Sequence, residues 1–201
     1  MPVADVSQLA ARLLEDLGAA PAGWRRPVVV GLFGLPCTGK TQVARYLGAR
    51  IPCVTLTTDV VRLQYGLPSG PATHEVMYVA ATALLARQAG IVWDGLHLGR
   101  ADREHLRRFA AAHGAATELI YTTAVPEVIA GRLQARLAAP ERTAAEGKFP
   151  ISPEQFARIA SFLDPPGPEE GVTTVDTTTG TDRATGAQLA RLLARLRERL
   201  D

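Results

Sequence analysis

Residues 34–41 read GLPCTGKT, a complete match to the pattern GxxxxGK[ST]. Each position in it has a chemical task. Gly34 and Gly39 admit backbone conformations closed to other residues, and the loop of Gly34, Leu35, Pro36, Cys37, Thr38 and Gly39 then turns its amides inward around a polyphosphate. The helix that opens near Gly39 adds its positive dipole end. Lys40 brings an ammonium between the β- and γ-phosphates, and the Thr41 hydroxyl ligates the Mg²⁺ that bridges them. Cys37 at a helix N-terminus has two readings, an acidified thiol or a small residue filling the loop, and the second is adopted.

Three further segments carry charge where a bound phosphate would meet it. TLTTDVVRLQYG sets Asp59 just past the carboxyl end of a strand and Arg62 three residues on, so one acid and one base share the face of a short helix. In GIVWDGLHLGRADR, Asp94 follows three apolar residues in the manner of a Walker B aspartate, a candidate for metal and substrate binding; an ordinary cap or loop acid is the competing reading. Arg100 and Arg103 open the next helix as candidate substrate-binding residues. GRLQAR sets Arg132 and Arg136 at i and i+4, both aimed at the polar stretch that follows, with solvated surface arginines as the competing reading.

These groups need a scaffold that gathers strand ends. Short apolar runs at 28–33, 51–56, 91–93, 119–121 and 172–175 read as buried strands. Helical patterns fill 5–17, 42–50, 72–89, 101–113, 126–138, 153–163 and 183–200. Alternating strands and helices predict a parallel sheet covered on both faces by right-handed crossovers. The stretch at 139–153, polar and proline-bearing, reads as a mobile excursion.

The chain of 201 residues fits one domain, with residues 1–24 set apart as an N-terminal helix and 25–201 as the catalytic domain with a lid at about 126–163. Twenty-two basic residues against 20 acidic ones give +2, too even to diagnose nucleic-acid binding. No export signal or membrane span is visible, and the two cysteines form no ligand cluster, which together predict a cytoplasmic protein with no membrane association. The absence of Asn excludes a guanine-reading NKxD motif, and no LSGGQ-like signature occurs. A phosphotransferase is the class that remains.

The GLPCTGKT, TTDVVR, DGLHLGRADR and GRLQAR segments, with the late FARIASFLDPP and TTVDTT runs, resemble the small P-loop kinases: polynucleotide 5′-hydroxyl kinases, gluconate-kinase-like enzymes, zeta toxins and antibiotic phosphotransferases. The resemblance runs from about residue 27 to 179 and is nearest the polynucleotide branch. It implies an α/β P-loop NTPase three-layer sandwich, a five-stranded parallel sheet with helices on both faces and a helical lid, using ATP and Mg²⁺. It also implies roles for single residues: Asp59 as general base, Arg62 on the acceptor's phosphate or polar group, Arg132 and more strongly Arg136 as lid arginines on the transferring phosphoryl group, and the segment Val175 to Thr178, with Asp176, beside the adenine. The acceptor is a nucleic-acid 5′ end or a small molecule such as a sugar, nucleoside or antibiotic; a non-catalytic nucleotide-binding module is the alternative. Arg100, Arg103, Arg107 and Arg108 form a possible backbone-binding patch, but aromatic residues to stack bases are only 5% of the chain. No obligate protein partner is evident.

Overall fold

A computed structural model describes residues 5–21, 23–180 and 183–198. Five strands, β1 Val28–Phe33, β2 Cys53–Thr57, β3 Gly90–Asp94, β4 Ala116–Thr123 and β5 Thr173–Asp176, form one sheet in the order β2-β3-β1-β4-β5. Every neighbouring pair is parallel. The helices are α1 Val6–Leu17, α2 Lys40–Gly48, α3 Thr58–Tyr65, α4 Pro71–Ala86, α5 Arg100–Ala112, α6 Pro126–Ala138, α7 Pro140–Ala145, α8 Pro153–Ala160 and α9 Arg183–Arg197. The α/β P-loop fold expected from the sequence is the one observed.

Strand alternation divides the core into two layers. On β1, Val29 and Phe33 face the cluster built with α1, α4 and α5, while Val28, Val30 and Leu32 face the cluster built with α2 and α9. Both sets are fully buried, which explains why β1 reads as an unbroken apolar run. β2 starts two residues later than the apolar run suggested. Pro52 has no N–H to donate to the ladder, and its carbonyl instead accepts Trp24 Nε1 at 2.7 Å. The end of the last predicted helix, residues 199–200, lies outside the described residues, as do residues 1–4 and 22 of the predicted N-terminal segment.

Two features of the packing matter for the site. α1 buries Leu9, Ala10 and Leu13 in the same cluster as β1 and α4. The stretch at 139–153 is also not loose. Ala139, turned out of the helical region before a proline, ends α6, and Pro140 then opens α7 at its first position. Thr143 of α7 is buried, with its hydroxyl donated to the Arg136 carbonyl at 3.0 Å.

Because β2 and β3 lie on one side of β1 and β4 and β5 on the other, the chain reverses its direction of winding at β1. A crevice at the carboxyl ends of the strands follows from that order.

Candidate active site

All five strand ends contribute to this crevice. The GLPCTGKT loop leaves β1 and enters α2. Gly34 sits at φ 139°, where a Cβ would collide with the Thr122 carbonyl, and Gly39 sits at φ 87°, where a Cβ would lie 2.9 Å from Thr177. Both glycines are therefore demanded by backbone conformation and by close approach. Lys40 Nζ donates to the carbonyls of Gly34 at 2.9 Å and Leu35 at 2.8 Å, which folds the side chain back over its own loop. Burial pulls its ammonium below the ordinary lysine value, with Asp94 and Asp59 acting in the opposite direction.

Cys37 adopts φ 68° and is buried. Burial pushes its thiol up against the opposing pull of Arg136, Lys40, Arg132 and Lys148, which favours the loop-filling role over an activated thiol.

Threonines fasten the loop from beneath. Thr38 Oγ1 donates to Leu35 O and lies 2.8 Å from Thr122 Oγ1 at the end of β4. Thr177, just past β5, lies with its hydroxyl 2.9 Å from the Thr38 carbonyl. Arg132 of α6 completes the seam: its Nη1 donates to Cys37 O at 3.0 Å and Thr177 Oγ1 at 3.1 Å, and its Nη2 donates to Thr177 O at 2.7 Å. The segment 175–178, which the sequence reading sets beside the adenine, thus reaches the loop through Thr177, while the exposed Asp176 side chain accepts the Thr178 amide at 2.8 Å.

Thr41 Oγ1 donates to Asp94 Oδ2 at 2.8 Å. Asp94 is buried at the end of β3, in register with Thr57 of β2 and Leu32 of β1. Burial raises its carboxyl, while Lys40 and the Thr41 hydrogen bond draw it down. Among the described residues no group of three or more His, Cys, Asp or Glu can cage a metal. One hydroxyl beside one carboxylate is a donor set suited to Mg²⁺, which keeps most of its shell for phosphate oxygens and water.

On the opposite wall, β2 ends at Thr57 and α3 starts at once, stopped after eight residues by Gly66 at φ 63°. This short helix carries Asp59 in its first turn and Arg62 in its last. Arg62 Nη1 lies 3.4 Å from Asp59 Oδ1. Burial raises the Asp59 carboxyl, opposed by Arg62, Lys40 and Arg136, so the phosphate-side cations are felt at the acid across the crevice. Arg136 projects from α6 one turn beyond Arg132, and its guanidinium makes no hydrogen bond or ion pair among the described residues.

The α5 arginines do not join this group. Arg103 has a fully buried side chain, donating from Nε and Nη2 to both carboxylate oxygens of Glu170 at 2.7 Å and from Nη1 to the carbonyls of Leu98 and Asp164. A substrate-binding role for Arg103 is thereby overturned: it ties the start of α5 to the segment ahead of β5. Arg107 donates to the Glu170 carbonyl, and Arg100 pairs with Glu169 at 2.7 Å on the surface. Two acidic residues from a distant segment thus answer the charge of this helix.

Sequence reasoning missed Lys148 and Phe149, and it named Thr177 only as part of the 175–178 segment, since a buried threonine after a strand looks like any other. Lys148 had a signal: the chain contains two lysines, Lys40 and Lys148, and both lie at this crevice.

The AAA-domain family model matches residues 29–166, from β1 through the segment that follows α8. No curated protein sequence matches the chain. Among solved structures, Chaetomium thermophilum Kti12 in complex with ADP-AlF3 superposes with a TM-score of 0.61 at 16% identity, covering 87% of this chain and 100% of that one. The gluconokinase from Sinorhizobium meliloti 1021 gives 0.56 at 20% identity, covering 86% and 98%. The Mycobacterium tuberculosis APS kinase CysC, solved with AMPPNP and APS, gives 0.55 at 21% identity, covering 86% and 98%. At these identities the likeness is one of fold.

Proposed function

The chain belongs to the AAA-domain family, and on that premise we propose that it is an ATP-dependent phosphotransferase that moves the γ-phosphoryl group to an acceptor hydroxyl. One observation carries this reading. The phosphate loop with Lys40 and the Thr41–Asp94 pair face, across a single crevice, a half-buried carboxylate at Asp59 whose proton affinity is raised. A nucleotide-binding module without transfer has no use for that second group.

Each residue then has a task. The loop amides and Lys40 bind the β- and γ-phosphates; Thr41 and Asp94 would hold Mg²⁺, which supplies charge neutralisation between the phosphates. Asp59 orients the acceptor hydroxyl and takes its proton as the oxygen–phosphorus bond forms and the bond to ADP breaks. A carboxyl raised by burial above its ordinary value is better matched to that transfer near neutral pH than an unperturbed one. Arg136, without a bonded partner among the described residues and one helical turn above Arg132, meets the charge on the transferring group. The lid of α6, α7 and α8 excludes water, which otherwise competes as acceptor.

The pairing of Arg100, Arg103 and Arg107 with Glu169 and Glu170 favours a small hydroxyl compound over a polynucleotide, whose backbone would need those cations free. Arg62, beside the base, suits an acceptor that carries a carboxylate or phosphate of its own. Incubation with γ-labelled ATP and a panel of sugar acids, nucleosides, nucleoside 3′-monophosphates, aminoglycosides and 5′-hydroxyl oligonucleotides tests both parts. Label on a small anionic alcohol supports the full reading, label on oligonucleotides alone replaces the acceptor, and label on nothing but water removes the transferase assignment.

A further inference from the structure

The tip of the lid is built to land on α3. α7 ends in a paired turn in which Gly147, at φ 72°, donates its amide to Ala144 O at 2.9 Å, and Lys148 donates its amide to Thr143 O at 3.0 Å. These two bonds are the 5→2 and 6→1 closures of a Schellman motif, which only a left-handed residue at the glycine position completes. A Cβ on Gly147 would lie 3.0 Å from Val60 Cγ2, so the turn sits directly against α3. The next residue, Phe149, then places its ring 4.0 Å from Arg62 Cζ.

Arg62 has little else to hold it. Its one hydrogen bond among the described residues is the 3.4 Å contact with Asp59, and its Nε is buried without a partner. The planar guanidinium is therefore oriented chiefly by the aromatic face. We infer that Phe149 is a positioning residue for Arg62: stacking from the lid tip fixes the guanidinium beside Asp59, so that the acceptor side of the crevice is assembled only when the tip is seated. The role of Arg62 toward the acceptor rests on the function proposed above; the stacking itself does not. A plain apolar plug is the rival account, and leucine would serve that purpose as well as phenylalanine.

The test compares the full chain, loaded with AMPPNP and Mg²⁺, with Phe149→Trp, Phe149→Leu, Arg62→Gln and the Arg62→Gln/Phe149→Leu double variant. The readout is amide hydrogen exchange over residues 143–150. Stacking predicts that Trp keeps wild-type protection, that Leu and Arg62→Gln each lose about fivefold, and that the double variant loses no more than either single change. Full protection in Phe149→Leu, or additive losses in the double variant, overturns the inference. Labelled-phosphate transfer to the acceptor panel is measured on the same proteins. Coupled exchange without transfer to any acceptor leaves the stacking standing and removes the function, whereas additive exchange in an active enzyme removes the stacking alone.

Discussion

Glu170→Gln removes one charge from the buried pair that anchors α5, while keeping the side chain's shape. Arg103 is 0% exposed and the Glu170 side chain 3% exposed, so the substitution strands a guanidinium with no counter-charge of equal burial. The Arg103 hydrogen bonds hold the Glu170 carboxyl down at about 2, against a reference of 4.5. That difference of roughly 2.5 units corresponds to about 3 kcal/mol of folding stability at neutral pH. Removing one partner of a buried ion pair costs about 3–5 kcal/mol by direct measurement elsewhere, so the two routes agree. At roughly 2–4 °C per kcal/mol for a domain of this size, the melting temperature should fall by about 6–12 °C.

The sign of the pH dependence follows from a depressed carboxyl. The contribution is fully present above 4.5 and is lost as the pH falls through that value toward about 2. Thermal melts followed by circular dichroism from pH 7 to pH 2.5 should show a wild-type advantage that is widest at pH 7 and narrows steadily below 4.5. Steady-state constants measured well below both melting points should be unchanged, since neither residue touches the crevice. A melting difference under 2 °C, a gap that does not narrow in acid, or a selective rise in acceptor KM would refute the structural role of this pair.

Three further outcomes follow from the site. Lys40→Ala should abolish phosphate transfer while its melting temperature stays within about 2 °C of wild type, because its bonds are to loop carbonyls and not to the core; near-normal turnover would discard the phosphate-loop assignment. Asp59→Asn should lower kcat about 1,000-fold with little change in ATP affinity, and the wild-type kcat should fall in acid along a limb, displaced upward from an ordinary aspartate by the burial of Asp59, that the variant lacks, because only the deprotonated form accepts the hydroxyl proton. The same acid limb in both proteins, or an equal loss of ATP affinity, would move Asp59 out of the base role. Arg136→Ala should lower kcat by about 100-fold without changing the melting curve, and Arg136→Lys should recover little; silent variants would return Arg136 to the solvated surface.

Local chemistry made much of this architecture readable from sequence. The loop is legible because its two glycines are forced by backbone conformation, and β1 because burial on both faces leaves no room for a polar residue. Asp59 and Arg62 are legible because spacing on a short helix fixes their shared face. Tertiary pairings are the part that escaped. Arg103 at the start of α5 looks like a surface cation until Glu170, 67 residues away, is brought against it. Thr177 becomes a loop residue only because β5 pairs with β4 and ends level with Thr123. The stretch at 139–153 hid α7, since a helix of six residues is too short to show a helical period.

The two lid arginines illustrate how far spacing alone carries the argument. Arg132 and Arg136 share a helix face, and sequence assigns them one role. In the structure Arg132 makes three hydrogen bonds to Cys37 and Thr177, so the base of α6 is fastened to the GLPCTGKT loop. Arg136, one turn on, has no such partner among the described residues, and its field reaches Lys40, Cys37 and Asp59 together. A cation held near two other cations without a bonded anion is electrostatically unfavourable until negative charge arrives between them. On the function proposed above, the phosphates of a bound nucleotide are that charge. The same face of one helix therefore divides in two: Arg132 fixes where α6 stands against the loop, and Arg136 is the cation that the proposed function assigns to the transferring phosphoryl group.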